Sequence, residues 1–300
     1  MGIIFLDKKA GITSFDALRD IKKELKTGKV GHTGTLDKFA QGLLIVLTEK
    51  SLKLTPWFMH CDKQYIGKIC FGKETDTLDP EGAVIAEAPL PTQEQVEAVL
   101  PQFTGEIMQT PPAYSALHIN GQRAHELARA GKAPLMKARP VTIYKLELNS
   151  WDPPFAEISV HCSSGTYIRS LARDIALAAG SRGHLVELTR TAIAGFCLGS
   201  GELGVGSGGK RADNKQQIPL PTPYSPLPIN KDVIEKLGLS CLDISSAEAQ
   251  YIRHGKPLDH LSVLRASAPP REAIALFHNQ HLISIIQKTN QKWQYGVVFT

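Results

Sequence analysis

The chain has 300 residues, of which 42% are hydrophobic and 21% charged, and carries a formal net charge of +5 at pH 7. That composition excludes a disordered chain and leaves room for one large domain, or a larger and a smaller one, each with a buried core. No apolar run reaches the roughly 20 residues of a bilayer-spanning helix, and the N-terminal charges are in the wrong order for a secretory signal, so a cytoplasmic protein without membrane contact is expected.

Residues 2–6 read as a strand, and a turn follows at Lys9-Ala10-Gly11. Thr13 or Ser14 is expected to cap an amphipathic helix running to about residue 25, whose far end carries Lys22, Lys23, Lys26 and Lys29. A loop rich in Gly and Thr spans 28–42 and leads into an apolar strand over 43–47. Residues 65–71 alternate as a strand, 75–82 form a turn, and 92–100 have helical spacing closed by Pro101. Strands are then expected over 114–119, 141–148 and 155–162, with helices over 125–130 and 166–179. Several strand-to-strand connections are too short for helical crossovers, so the fold class is α+β, a mainly antiparallel mixed sheet with flanking helices.

Residues 199–209 are rich in Gly and Ser, and 218–229 contain five prolines. The whole of 199–228 therefore reads as a partly stiffened linker. Beyond it, strand-like pieces at 273–277, 282–286 and 295–299 suggest a small β-rich module. This divides the chain into domains 1–229 and 230–300. Five cysteines at irregular spacing, with no CxxC pair, argue for reduced thiols rather than a disulfide framework or zinc site, and no metal is expected.

The most informative stretch is Val30-Gly31-His32-Thr33-Gly34-Thr35-Leu36-Asp37-Lys38-Phe39-Ala40-Gln41-Gly42. Its glycines permit tight turns and close approach of a ligand. On composition alone Asp37 is a turn-capping aspartate.

The whole string resembles the signature of the bacterial TruB-type tRNA pseudouridine synthases. The likeness continues in order through Leu6-Asp7-Lys8, Asp62-Lys63-Gln64-Tyr65, Thr75-Asp76-Thr77 with Asp79, and Pro112-Ala113-Tyr114-Ser115-Ala116-Leu117. It extends through Ala138-Arg139-Pro140-Val141 and Cys162-Ser163-Ser164-Gly165-Thr166-Tyr167-Ile168-Arg169-Ser170-Leu171, covering roughly residues 2–198. The resemblance implies the pseudouridine synthase fold, followed over 230–300 by a PUA-like RNA-binding domain in which Tyr251-Ile252-Arg253-His254-Gly255-Lys256-Pro257-Leu258 is the matching motif. It implies isomerisation of a T-loop uridine of tRNA (uridine 55) to pseudouridine, with no cofactor and no obligatory protein partner.

Residue by residue, Asp37 resembles the catalytic aspartate and Tyr65 the tyrosine that stacks on the base. Arg169 resembles the aspartate's arginine partner, and Tyr167 its active-site neighbour. His32 resembles the histidine that wedges into the loop, and Leu188 an apolar residue of the base pocket. Such chemistry needs an ionised carboxylate, and Arg169 is expected to lower the pKa of Asp37. An insertion at about 110–140, with Arg123, Arg129, Lys132, Lys137 and Arg139, is expected to contact RNA.

Three features depart from the family pattern or stand outside the assigned roles. Lys9 and Lys38-Phe39 occupy positions where prolines and an apolar neighbour are usual, and Lys38 is expected either to depress the pKa of Asp37 or to touch a phosphate. Asp76 and Asp79 read as turn formers. A binding protein without turnover is the non-enzymatic alternative, against which the joint presence of Asp37, Tyr65 and Arg169 speaks. A hydrolase built on Asp37 would need a second carboxylate or a metal.

Overall fold

The computed structural model describes residues 1–119, 121–132, 136–198, 224–258, 261, 264, 273–290 and 292–299. In chain order the first part contains β1 (Gly2–Lys8), α1 (Arg19–Glu24), β2 (Val30–His32), β3 (Gln41–Thr48), α2 (Thr55–His60) and β4 (Lys63–Phe71). There follow β5 (Lys73–Thr75), β6 (Val84–Glu87), α3 (Gln93–Val99), β7 (Gly105–Gln109), β8 (His118–Ile119), β9 (Gln122–Arg123) and α4 (Ala124–Arg129). The long elements β10 (Arg139–Asp152), β11 (Phe155–Cys162), α5 (Ile168–Ala178) and β12 (Gly183–Ile193) come next, then the short β13 (Phe196–Cys197). The C-terminal part holds α6 (Lys231–Lys236), β14 (Ser240–Asp243), α7 (Ser246–Arg253), β15 (Ala273–His278), β16 (His281–Thr289) and β17 (Lys292–Val298).

One large sheet runs β1-β3-β12-β4-β11-β10-β7, with β2 added to β3 and β13 to β12. Every pairing in it is antiparallel except β12 with β3, where Thr189 and Arg190 lie opposite Gln41 and Gly42. The expected α+β class with a mainly antiparallel sheet is therefore what the chain adopts, together with a separate four-stranded sheet β14-β15-β16-β17.

The sequence patterns follow from what covers each strand. β4 alternates because one face carries Tyr65, Ile69 and Phe71 into a core with α5, while Gln64 and Ile66 are exposed. The centre of β3, Leu43 to Leu47, is a continuous apolar run because both its faces are covered. Leu44 and Val46 pack with Leu18, Ile21 and Val30, whereas Leu43, Ile45 and Leu47 pack with Phe58, Val233, Ile234 and Phe277. The C-terminal sheet thus shares a continuous core with the first sheet. Each fully buried Leu, Ile or Phe there contributes about 1.5–3 kcal/mol. Leu227 also exchanges backbone hydrogen bonds with Ile3 (2.9 and 2.8 Å), covering the edge of β1.

Several expectations required correction. The expected helix over 13–25 starts later and is split, a 3-10 turn at Asp16–Leu18 preceding α1. The helix expected over 92–100 forms as α3 and ends at Val99, and Pro101 follows near the start of a 3-10 turn, Leu100–Phe103, where its missing N–H costs nothing. Residues 114–117 are not a strand. The Tyr114 carbonyl instead accepts a hydrogen bond from Arg169. The long strand β12 was assigned no element from its sequence. Residues 199–223, most of the expected linker, lie outside the described residues.

Candidate active site

Asp37 lies in the loop between β2 and β3, and three side chains from distant segments hold that loop. Ser14, fully buried, accepts from the Leu36 N–H (2.8 Å) and donates to the Leu36 carbonyl (3.0 Å). Lys8, at the end of β1, directs its ammonium at the carbonyls of Ile12 (2.7 Å), Ala40 (2.7 Å) and Lys9 (3.0 Å). Arg190, on β12, donates to the carbonyls of Leu43 (2.8 Å) and Gly34 (3.0 Å). Lys8 and Arg190 are each only 1% exposed. A cation taken that far from water costs several kcal/mol unless its donors are satisfied, and here loop carbonyls satisfy them. Burial pulls the Lys8 pKa below its ordinary value, and the charge of Asp37 works against that pull. Gly42 is required where the loop enters β3: its φ is +102°, and a Cβ there would stand 2.4 Å from the Arg190 carbonyl oxygen.

Arg169 sits in the first turn of α5, a position the helix dipole disfavours for a cation. Two carboxylates offset this. Nε lies 2.9 Å from one Asp37 oxygen, and Nη2 donates to the other at 3.1 Å. Nη1 reaches Asp79 Oδ2 (3.1 Å) and the Thr77 carbonyl (2.8 Å), and Nη2 also reaches the Tyr114 carbonyl (3.0 Å). The two terminal nitrogens thus make four hydrogen bonds, while Nε meets Asp37 as an ion pair without hydrogen-bond geometry, and a lysine cannot reproduce that fork. Arg169 is buried, while 37% of the Asp37 side chain remains accessible. The carboxylate is therefore gripped from below and open above.

Burial is the largest influence on Asp37 and raises its pKa above the ordinary carboxylate value, with Asp79 adding to the rise. Arg169 and Lys8 pull the other way without prevailing. The expectation that Arg169 leaves a depressed pKa is thus corrected, because the same fold that brings the guanidinium also removes water. Lys38 pairs with Glu81 at 3.3 Å across the loop surface.

A cavity of about 940 Å³ opens above Asp37 and is walled by Tyr65, Leu188, Tyr167, His32 and Arg169, so all the residues singled out in the sequence converge there. Tyr65 and Leu188 come from the neighbouring strands β4 and β12, where Leu188 stands opposite Gly67. Tyr65 stands opposite Arg190 in that ladder, and burial, chiefly, keeps its phenol protonated above the usual pKa, against the pull of Arg190. His32 is half-buried, and its pKa is lowered by burial and then by Arg190, so its ring is held neutral. Tyr167 is locked through its backbone: its N–H donates to Gln109 Oε1 (2.8 Å), and the Gln109 amide donates back to its carbonyl (3.1 Å). Arg139 lies 5.3 Å over the Tyr167 ring and donates to the Gly165 carbonyl. Among the described residues no group of three His, Cys, Asp or Glu side chains is placed to hold a metal.

Lys8, Ser14, Asp79, Gln109 and Arg190 are the participants to which sequence reasoning gave no part in the site. Asp79 does form its turn, accepting from Thr77 Oγ1 (2.6 Å) and the Glu81 N–H (3.0 Å), but its other oxygen also secures Arg169. One signal was available for Arg190: Leu188, Arg190 and Ala192 alternate with the polar Thr189 and Thr191, which puts a charge in register with the apolar face of a strand.

Residues 22–168 match the model of the TruB family pseudouridylate synthase (N terminal domain). The tRNA pseudouridine synthase B of Borreliella burgdorferi (strain ZS7) is 43% identical over 200 residues, covering 66% of this chain and 71% of that protein. The chain belongs to the TruB family of pseudouridylate synthases. The enzyme of the same name from Francisella philomiragia is 45% identical over 193 residues, with 63% of this chain and 64% of that one covered. Among solved structures, a chain of a Cbf5-Nop10-Gar1 complex superposes with a TM-score of 0.65 at 22% identity, covering 99% of this chain and 82% of its own length. A chain of the archaeal box H/ACA sRNP Nop10-Cbf5 complex gives the same TM-score at 20% identity. These likenesses extend the shared fold to the C-terminal sheet.

Proposed function

We propose that this TruB family member isomerises a single uridine in the T-loop of tRNA, uridine 55, to pseudouridine, with Asp37 as the essential catalytic group. One observation carries this reading. Both oxygens of Asp37 are engaged by Arg169 at the floor of a cavity walled by Tyr65 and Leu188, which is a binding place for a planar base beside a positioned carboxylate.

The reaction breaks the bond from N1 to C1′, turns the uracil, joins C5 to C1′, and moves the C5 proton to a nitrogen. Atoms and electrons balance without a redox partner. Asp37 must enter ionised, whether it attacks the ribose carbon, attacks the base or removes a ribose proton. The uridine must first leave its stack, at a cost of a few kcal/mol, and stacking worth roughly 1–3 kcal/mol per base on Tyr65 offsets much of that. Neutral His32, planar and at the cavity wall, fits the space the base vacates.

The basic insertion of residues 110–140 reaches the site through Arg139 and offers exposed Arg123, Lys132 and Lys137 to phosphates. We place the domain boundary near residue 230 and assign 230–300 to RNA binding as a PUA-like module. The enzyme is expected to work in the cytoplasm without a protein partner. Incubating the purified full chain with an unmodified tRNA transcript and mapping pseudouridine should show product at uridine 55. Tight binding without product would leave a binding protein, and product at another site would overturn the assigned position.

A further inference from the structure

Phe15 is the most exposed large apolar side chain in the described residues, at 69%, and it lines the same cavity as Asp37. A lone exposed phenylalanine ordinarily needs no explanation. This one is held in register with the catalytic loop. Its neighbour Ser14 is the residue hydrogen-bonded in both directions to Leu36, adjacent to Asp37. The Leu18 N–H donates to the Phe15 carbonyl (3.2 Å) and the Ala17 N–H to that of Thr13 (3.1 Å), so the backbone on either side is tied into a turn.

One side of the ring is already used. Lys22 Nζ stands 4.9 Å from the ring centroid, a cation on an aromatic face. Lys23, Lys26 and Lys29 continue the positive charge beyond it, and among the described residues only Lys29 of the four has a carboxylate within 4.0 Å, Glu49. The ring therefore borders the cavity on one hand and a strip of cations on the other. An unpaired nucleotide presents that combination of needs, a flat base to stack and a phosphate to neutralise.

We propose that Phe15 is a second stacking platform, taking an unpaired loop base next to the target uridine, while Lys22 and the lysines after it hold the adjoining phosphates. The inference rests on the tRNA reading above. Tyr65 serves the flipped base inside the cavity, and Phe15 serves a neighbour at its edge once flipping has broken the loop's own stack. Phe15 touches no reacting atom, so it is a positioning residue whose effect falls on substrate binding.

The test uses the full chain and unmodified tRNA stem-loops carrying 2-aminopurine at one loop position at a time. With the native chain, one position adjacent to the target should show fluorescence quenching that Phe15→Ala and Phe15→Leu abolish and Phe15→Trp retains. KM should rise about tenfold in Phe15→Ala and Phe15→Leu, with kcat within about twofold of native, in the range that loss of one stacked base implies. Wild-type KM in Phe15→Ala, or Phe15→Leu matching Phe15→Trp, would overturn the proposal, as would a loss of binding that tracks a fall in melting temperature. A native chain that neither binds nor modifies the stem-loop would instead take down the tRNA reading itself. Native turnover with an indifferent Phe15→Ala would remove only this inference.

Discussion

The Asp37 loop lines the cavity and the basic segment of residues 121–139 meets it through Arg139, yet the two are held by opposite means. Around Asp37, two almost fully buried cations, Lys8 and Arg190, together with Ser14, spend their hydrogen bonds on loop backbone. Among its described residues the basic segment holds the two-residue strand β9 and the six-residue α4, exposes Arg123, Lys132 and Lys137, and is moored to the site through Arg139. The difference matches the demands on each. A reacting carboxylate misplaced by an ångström loses most of its advantage, whereas contacts to phosphates tolerate and even need adjustment.

Asp37→Asn breaks the comparison at its centre and should have the largest effect. Isomerisation should fall by about 10⁴-fold or more, while tRNA affinity, spread over many phosphate contacts, stays within a few-fold. Near-native turnover in that variant would remove Asp37 from its assigned role. Tyr65→Phe keeps the stacking face, so KM should hardly change; kcat should drop on the order of 10²-fold if the hydroxyl relays a proton. An unchanged kcat would confine Tyr65 to stacking.

Lys8→Met asks whether the loop depends on its buried cations. The carbonyls of Ile12 and Ala40 would be left without a donor, costing about 1–3 kcal/mol in denaturant unfolding. Turnover should fall with it by about tenfold, and a variant as stable and active as native would show that the loop holds itself.

The pH profile sharpens the same point. Asp37 acts ionised, and burial raises its pKa, so activity should be lost as pH falls through a value above the ordinary carboxylate range. The charge of Asp79 contributes to that rise, hence Asp79→Asn should move the acid limb of kcat/KM to lower pH. An upward shift would mean that Asp79 acts mainly by aiming Arg169. The smallest effect is expected at the adaptable end: Lys132→Ala should weaken tRNA binding a few-fold and lower its salt-dependence slope by about one if it meets a phosphate. A drop in kcat there would place the basic segment inside the fixed machinery.

Much of this protein is written in local pattern. The alternation of β4, the apolar run of β3 and the antiparallel character of the sheet follow from residues that must be inside or outside, and the string around Asp37 is distinctive enough to mark the family. Periodicity could not show that the Tyr114 carbonyl takes a hydrogen bond from Arg169, 55 positions away, rather than a place in a ladder. Nor could it show that β3 is covered on one face by the C-terminal part of the chain.

The charge state of Asp37 illustrates the division most directly. Its pairing with Arg169 was foreseeable from the motif, and the direction of its pKa was not, because the loss of water around it exists only after the sheet, α5 and the loop have closed together. The same holds for Lys8 and Arg190. A lysine ending a strand and an arginine within one are ordinary in sequence; only tertiary packing turns them into buried cations whose donors meet backbone carbonyls, among them Ala40 and Gly34 of the loop that carries the aspartate.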